Sequence, residues 1–181
     1  MIFVYLAEGF EEIEAVTPVD ILRRAGLKVE TVSMEKDLQV VSAHGIPVVC
    51  DRLFAESEPM EAHAMILPGG MPGALGLLHS APLLDRIRRE NAKGTLICAI
   101  CAAPMVLAKA GILEGRNAVI YPGMEAEIKG AVPASVPVCV DGNLITSRGP
   151  ATAMPFALEI LKALTDDSTR NTIGEGLLFH D

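Results

Sequence analysis

The sequence predicts an α/β fold in which a doubly wound, mostly parallel sheet carries helices on both faces. Short aliphatic runs alternate along the chain with longer segments of helical periodicity, which is the pattern of strand–helix–strand units. Half of the residues are hydrophobic, yet only 4% are aromatic and none is Trp. Runs rich in Val, Ile and Leu are typical of parallel strands that are buried on both faces. At 181 residues, the simplest interpretation is a single domain spanning residues 1–181.

The first half of the chain alternates apolar strands with one acidic helix. The helix is expected to end at Gly26, with Arg23 and Arg24 in its last turn, where cations complement the helix dipole. The predicted elements are a central strand over residues 2–6, the helix over 11–25, a strand over 28–32, an edge-like hairpin of 39–42 and 46–50 around His44-Gly45, and a strand over 64–67.

The second half continues the alternation and adds a second hairpin. Asp141-Gly142 separates two apolar runs and predicts the turn of that hairpin. The predicted elements are a polar helix over 81–91, a buried strand over 96–100, a helix ending at Gly111, a strand over 117–121, hairpin strands over 136–140 and 143–146, and a helix over 152–164. The tail over 165–181 shows no clear pattern, although Leu177-Leu178-Phe179 could pack on the core or on a partner.

The buried strand over 96–100 ends at Cys101, which is followed by Ala102, Ala103 and Pro104 and then by an apolar helix. This order is the pattern of a nucleophile elbow: a strand, a reactive residue, small residues and then a helix. The sharp turn of such an elbow exposes the side chain at its apex. At a helix N-terminus, free N–H groups and the dipole stabilise a thiolate, so we expect a lowered pKa for Cys101. A buried structural thiol is the alternative, and it is favoured for Cys98.

Other cysteine chemistry is less well supported. Cys98 and Cys101 match C-x-x-C, but Cys98 lies inside the strand rather than at a helix start, so the two thiols should lie at different depths. No metal site is predicted, because no second C-x-x-C exists and His44, His63, His79 and His180 are scattered.

The loop over residues 68–73, Pro-Gly-Gly-Met-Pro-Gly, lacks the patterns of phosphate and dinucleotide loops, so no cofactor is expected. The loop either presents N–H groups beside the elbow or is simply a tight turn into the next helix.

Glu14 is the candidate acid. It shares a helical stripe with Pro18, Ile21 and Ala25, so its carboxyl group should point along an apolar face. Burial would raise its pKa and keep it protonated near neutrality, able to donate to a sulfur or to transfer a proton. We expect the neighbouring Glu11 and Glu12 to form a solvated face that also complements the helix N-terminus.

The overall charge and the ends of the chain restrict the partners. A net charge of -8 and a pI near 5.0 argue against nucleic acid and anionic membranes as partners. No apolar stretch is long enough for a membrane helix, and the chain starts as a strand without a basic leader. Four cysteines in a chain of this length do not make a disulfide framework, so we expect a cytoplasmic protein.

Four segments together resemble the DJ-1/ThiJ/PfpI superfamily, specifically its DJ-1-like branch: residues 11–26, 67–70, 99–104 and 146–152. The resemblance implies a flavodoxin-like fold and a homodimer with the first helix and the His44-Gly45 hairpin at or near the interface, where Cys50 matches an interface cysteine. It also implies that Cys101 is the readily oxidised cysteine and Glu14 the protonated acid that hydrogen-bonds its sulfur. The backbone of Gly69, Gly70 and Ala102 would then surround the sulfur.

Two positions depart from parts of that superfamily. Tyr121 stands where many members carry a histidine after the strand that follows the elbow helix. Tyrosine has an ordinary pKa of about 10, so it is a poor base at neutral pH but can donate a hydrogen bond. Ala102 stands where the protease-like branch has a histidine, which disfavours peptidase activity.

The resemblance leaves three functional hypotheses. In the first, the protein responds to oxidative and carbonyl stress through peroxide oxidation of Cys101. In the second, it is a glyoxalase or protein deglycase that acts on methylglyoxal or its adducts, with Cys101 as nucleophile and Glu14 as proton shuttle. In the third, it is a redox-regulated chaperone, whose activity would survive Cys101→Ala.

Overall fold

The computed structural model describes residues 1–179, and a seven-stranded sheet forms the centre of the molecule. Among the described residues, the strands are β1 (Ile2–Leu6), β2 (Val29–Ser33), β3 (Gln39–Val41), β4 (Pro47–Val49), β5 (Arg52–Leu53), β6 (Ala64–Leu67), β7 (Leu96–Ile100), β8 (Asn117–Ala118), β9 (Val132–Pro133), β10 (Val138–Asp141) and β11 (Leu144–Ser147). The central sheet has the order β10-β11-β7-β6-β1-β2-β5, and only the edge pair β10–β11 is antiparallel.

The helices connect these strands and cover both faces of the sheet. They are α1 (Glu12–Arg24), α2 (Phe54–Ser57), α3 (Gly73–His79), α4 (Ala81–Ala92), α5 (Pro104–Ala110), α6 (Ala153–Leu164) and α7 (Asp167–Gly176), with 3₁₀ turns at Glu125–Glu127 and Pro150–Thr152. Within residues 1–179, no helix combines the length and the apolar character that crossing a membrane requires.

Strand β1 shows why the apolar runs are continuous. Phe3 and Tyr5 pack into one core with α3, α4 and α5, whereas Val4 and Leu6 pack into a second core with α1 and α6. Because successive side chains of a strand point to opposite faces, a strand covered on both sides needs an apolar residue at every position. The predicted doubly wound α/β fold is therefore confirmed, and most elements lie within a few residues of their predicted bounds.

The structure corrects two predicted strand assignments. Of residues 117–121, only 117–118 form a strand, and β8 pairs with β9 outside the central sheet. The next residues bond elsewhere, because Val119 donates its N–H to Thr146 Oγ1 at 3.0 Å. The predicted hairpin forms as β3–β4, but it is a separate two-stranded sheet and not an edge of the main one.

Several short elements were not predicted, namely β5, α2, α3 and the tail helix α7. The tail packs on the core of its own chain through Leu177 and Phe179, while Leu178 between them is 80% exposed. His180 lies outside the described residues.

Candidate active site

Cys101 lies at a sharp turn between β7 and α5, as predicted for a nucleophile elbow. Its φ is +62°, a left-handed conformation that is uncommon for residues other than glycine and is often found at functional sites. Both backbone groups hold this conformation in place. The N–H of Cys101 donates to the Ser147 carbonyl at 2.9 Å, and its carbonyl accepts from the N–H of Tyr121 at 2.8 Å. The sheet and the segment after β8 thus fix the apex residue.

Glu14 lies on α1 and is fully buried beside this turn. Its Oε2 accepts the N–H of Gly69 at 2.8 Å, which ties α1 to the loop after β6. Gly69 allows the close approach, because a Cβ on it would lie 2.7 Å from Cys101 Cβ and 2.8 Å from Glu14 Oε2. Within residues 1–179, Glu14 Oε1 is buried and has no hydrogen-bond partner of good geometry. One carboxyl oxygen is therefore fixed by the loop, and the other is buried beside the elbow without such a partner.

The pKa of Glu14 is raised to about 7, mainly by burial and to a smaller extent by the nearby Glu11 carboxylate. The Gly69 N–H and the Cys101 thiol act in the opposite direction, since both stabilise the ionised form. The prediction that burial would raise this pKa is confirmed. A carboxyl group whose pKa lies this close to neutrality can both give and take a proton.

The expected lowering of the Cys101 pKa is wrong. Burial, together with the negative charge of Glu14 and the hydrogen bond to it, raises the pKa of the thiol to about 12, while the N–H groups of Ala102 and Gly70 act in the opposite direction. The sequence indicated the turn but not how deeply it is buried or how close a carboxylate lies. A free thiolate beside an ionised Glu14 would put two negative charges in one buried site. Transfer of the thiol proton to Glu14 avoids this, because the pair then keeps a single negative charge.

The backbone groups predicted around the sulfur are present, but they have different partners. The N–H groups of Gly70 and Ala102 lie close enough to the sulfur to lower its pKa. The N–H of Gly69 is already used by Glu14, so it is not free for an oxyanion. The loop of residues 68–73 brings the N–H of Gly70 near the sulfur and leads directly into α3, which begins at Gly73.

Cys98 is fully buried in β7 and packs into the core that contains α1 and α6, whereas Cys101 is partly exposed. The two thiols therefore lie at different depths, as predicted from the C-x-x-C spacing. Burial also raises the pKa of Cys98 well above its ordinary value, which is typical of an unreactive structural thiol.

Glu11 and Glu12 do not form the solvated face that the sequence predicted. Glu11 is 8% exposed and caps α1 by accepting the N–H of Glu14 at 2.8 Å. Glu12 Oε1 lies 2.9 Å from His44 Nδ1 on the hairpin. Ligand atoms of Glu11, Glu12 and His44 lie within 4.8 Å of one another, a spacing that could hold a metal ion. Sequence spacing missed this group because the hairpin brings His44 to α1 from far along the chain.

Tyr121 lies at the exposed rim of the elbow. Its backbone bonds to Cys101, and its ring packs against Gly149, where a Cβ would lie 3.4 Å from Cδ2. Tyr121 is 48% exposed.

Comparison with known proteins gives one consistent result. A profile of the DJ-1/PfpI family matches residues 1–163. The Drosophila melanogaster protein dj-1beta is 37% identical over 177 residues, covering 97% of this chain and 95% of that protein. The Danio rerio Parkinson disease protein 7 homolog is 33% identical over 190 residues, covering 98% and 96% of the two chains.

Solved structures show the same relationship. The oxidised form of Toxoplasma gondii DJ-1 superposes with a TM-score of 0.96 at 36% identity, covering 99% of this chain and 98% of that chain. Drosophila melanogaster DJ-1beta superposes with a TM-score of 0.94 at 36% identity and the same coverage. The flavodoxin-like fold implied by the sequence resemblance is thus confirmed. Because the family profile matches residues 1–163 and relatives match nearly the whole length of the chain in sequence and in fold, this chain belongs to the DJ-1/PfpI family.

Proposed function

We propose that this protein is a DJ-1-like protein of oxidative and carbonyl stress, in which Cys101 is the reactive, oxidisable thiol and Glu14 is its proton partner. The supporting observation is the position of Glu14: it is fully buried beside the elbow, with Oε2 held by Gly69 and Oε1 without a good partner. A carboxyl group with a pKa of about 7 next to a half-buried thiol supplies a proton acceptor where the thiol must lose its proton.

Oxidation by hydrogen peroxide then proceeds without building up charge. The thiol proton moves to Glu14, and the thiolate attacks one peroxide oxygen, so that an S–O bond forms and the O–O bond breaks. The departing hydroxide takes the proton from Glu14 and leaves as water. The products are a sulfenic acid on Cys101 and an ionised Glu14. A second peroxide converts the sulfenic acid to a sulfinic acid in the same way, with release of another water.

Peroxide titration followed by mass spectrometry of peptides tests this proposal. We expect Cys101 to gain oxygen first, with Cys139 and Cys50 unmodified at low peroxide. Glu14→Gln should slow the reaction by about a hundredfold, because the amide cannot accept the thiol proton. Glu8→Gln is the matched control, since it makes the same chemical change on an exposed residue. Equal oxidation of all accessible thiols, or an unchanged rate in Glu14→Gln, would refute the proposal.

A second candidate function is glyoxalase or deglycase activity, which the N–H groups of Gly70 and Ala102 beside the sulfur favour. The thiolate would add to the aldehyde carbon of methylglyoxal, and the resulting oxyanion would be held by these N–H groups and take the proton from Glu14. The Glu14 carboxylate would then move a proton from the former aldehyde carbon to the neighbouring carbon, while the hydroxyl proton passes to the neighbouring ketone oxygen, giving a lactoyl thioester. Water would cleave the C–S bond and release lactate and the thiol.

Formation of lactate from methylglyoxal tests this second candidate. Wild-type protein is compared with Cys101→Ala that has been prepared identically. Turnover that disappears with the thiol would establish an enzyme, and Tyr121→Phe would then show whether the tyrosine hydroxyl takes part. Turnover no greater than that of the variant would leave peroxide oxidation as the reaction of Cys101.

We also propose a homodimer formed through α1 and the β3–β4 hairpin. Ile13 and Val16 on α1, and Ile46 and Val49 on the hairpin, are large apolar side chains that are about half exposed or more. The contact between His44 and Glu12 holds the hairpin beside α1, so the four side chains belong to one surface. Exposed apolar surface of this kind is typical of subunit interfaces.

Light scattering tests the proposed homodimer. The wild-type protein should have the mass of two chains, and the Val16→Glu variant should have the mass of one. The cytoplasmic location remains a prediction.

A further inference from the structure

A groove of about 530 Å³ lies beside the elbow helix α5, outside the site described above. Its apolar floor is formed by Leu78, Met105 and Ala108, and its charged rim by His79, Lys109, Glu127 and Lys129. The volume falls within the range of small-molecule sites, which are commonly apolar clefts with a few polar groups at one end.

The rim of this groove carries excess positive charge, although the protein is acidic overall. The chain carries a net charge of -8, and eight other lysine or arginine side chains form ion pairs with carboxylates of residues 1–179. Within residues 1–179, neither Lys109 nor Lys129 has a carboxylate within ion-pair distance, although Glu127 lies on the same rim. Two unpaired ammonium groups against one carboxylate leave the rim with a single net positive charge.

We propose that this groove binds a small amphipathic carboxylate, that is, a free molecule with one carboxylate and a hydrocarbon chain of medium length. The chain would lie over Leu78 and Met105, where it would cover apolar surface. The carboxylate would lie between Lys109 and Lys129 and neutralise the excess charge of the rim. Neutral and cationic molecules with the same chain lack that second contribution, so the groove should discriminate against them.

Binding can be followed with octanoate as the probe. Protein labelled with ¹³C at the methionine methyl groups reports on the groove through Met105, whose signal is assigned with Met105→Leu. We expect octanoate to shift this signal saturably, and the double variant Lys109→Met, Lys129→Met to raise the Kd about tenfold. Lys36→Met is the matched control, because Lys36 is also exposed and without a carboxylate partner among residues 1–179. That variant should bind octanoate like the wild type.

Three outcomes would overturn the proposal: a shift that does not saturate, an equal affinity for 1-octanol, or an unchanged Kd in the double variant. The single variant Lys109→Gln gives an independent measurement should the double variant be unstable. Cys101→Ala is expected to bind octanoate normally. Loss of the peroxide or methylglyoxal reaction in that variant can therefore be distinguished from loss of octanoate binding in the groove.

Discussion

Glu14 and Arg86 are both fully buried ionisable side chains, and they lie on opposite sides of the sheet. Arg86, on α4, donates to Ser57 Oγ and to the Met60 carbonyl, each at 3.1 Å, and its guanidinium lies 4.9 Å from the centre of the Phe3 ring. Glu14, on α1, has one oxygen bonded to Gly69 and the other without a good partner in the part of the chain that the structure describes.

The difference is one of proton chemistry. A guanidinium cannot lose its proton in a protein, so Arg86 is permanently charged and its surroundings can only stabilise it. A carboxyl group whose pKa lies about 7 exists in both forms under ordinary conditions. Burial alone therefore does not mark a functional residue. The functional one is the buried group that can exchange a proton and that faces a nucleophile.

From this comparison we expect the largest loss of stability for Arg86→Ala. Removal of this side chain leaves a cavity between α4 and β1 and leaves Ser57 Oγ and the Met60 carbonyl without their donor. We expect the free energy of unfolding to fall by about 4 kcal/mol, as for other large side chains removed from a core. Urea denaturation measures the change, and Arg88→Ala on the exposed side of the same helix is the control. The folded Arg86→Ala variant should keep the peroxide reactivity of Cys101. A specific loss of that reactivity would contradict the purely structural role of Arg86.

The next largest effect is expected for Glu14, whose protonation makes the stability depend on pH. Burial raises its pKa from the model-compound value of 4.5 to about 7, so the folded state binds this proton more tightly than the unfolded state does. The stabilisation is complete below about pH 4.5 and is lost as the pH rises through about 7. The expected loss is roughly 3 kcal/mol. Glu14→Gln should remove this component, so the difference between the wild-type and variant unfolding curves isolates it. A difference that does not change between pH 4.5 and 7.5 would contradict the raised pKa.

A smaller effect is expected for Gly69→Ala, which tests how tightly the functional centre is packed. The added Cβ would lie 2.7 Å from Cys101 Cβ, so the thiol and Glu14 would have to move apart. We expect a loss of about 2 kcal/mol in stability together with slower oxidation of Cys101. Gly176→Ala is the control, because a Cβ there meets nothing within 4 Å. Unchanged oxidation in Gly69→Ala would mean that the contact between thiol and carboxyl group is not needed.

The two centres also differ in how well the sequence predicts them. The elbow at Cys101 and the stripe that buries Glu14 are local patterns, and both were found from spacing alone. The bond from Gly69 to Glu14 joins residues 55 positions apart, and the raised pKa of Cys101 depends on burial, so neither has a local signal. Arg86 was missed for a related reason. It stands in a charged stretch of a polar helix, and only the packing of α4 on β1 shows that it points inward.

The smallest effect is expected for Tyr5→Phe, beside Arg86. Within residues 1–179, Tyr5 Oη is buried without a hydrogen-bond partner of good geometry, although it lies close enough to Ser57 to affect its own pKa. A buried hydroxyl group without a partner costs free energy, whereas the ring packs equally well without it. We expect the free energy of unfolding to stay the same or to rise by up to about 1 kcal/mol. A fall in the free energy of unfolding by about 1 kcal/mol or more would show that the hydroxyl group pairs with Ser57 Oγ in solution. Arg86 Nε, like Glu14 Oε1, is buried without a hydrogen-bond partner within residues 1–179, so an unpartnered atom alone does not distinguish the two side chains. Glu14 differs because its carboxyl group can exchange a proton, whereas the guanidinium cannot.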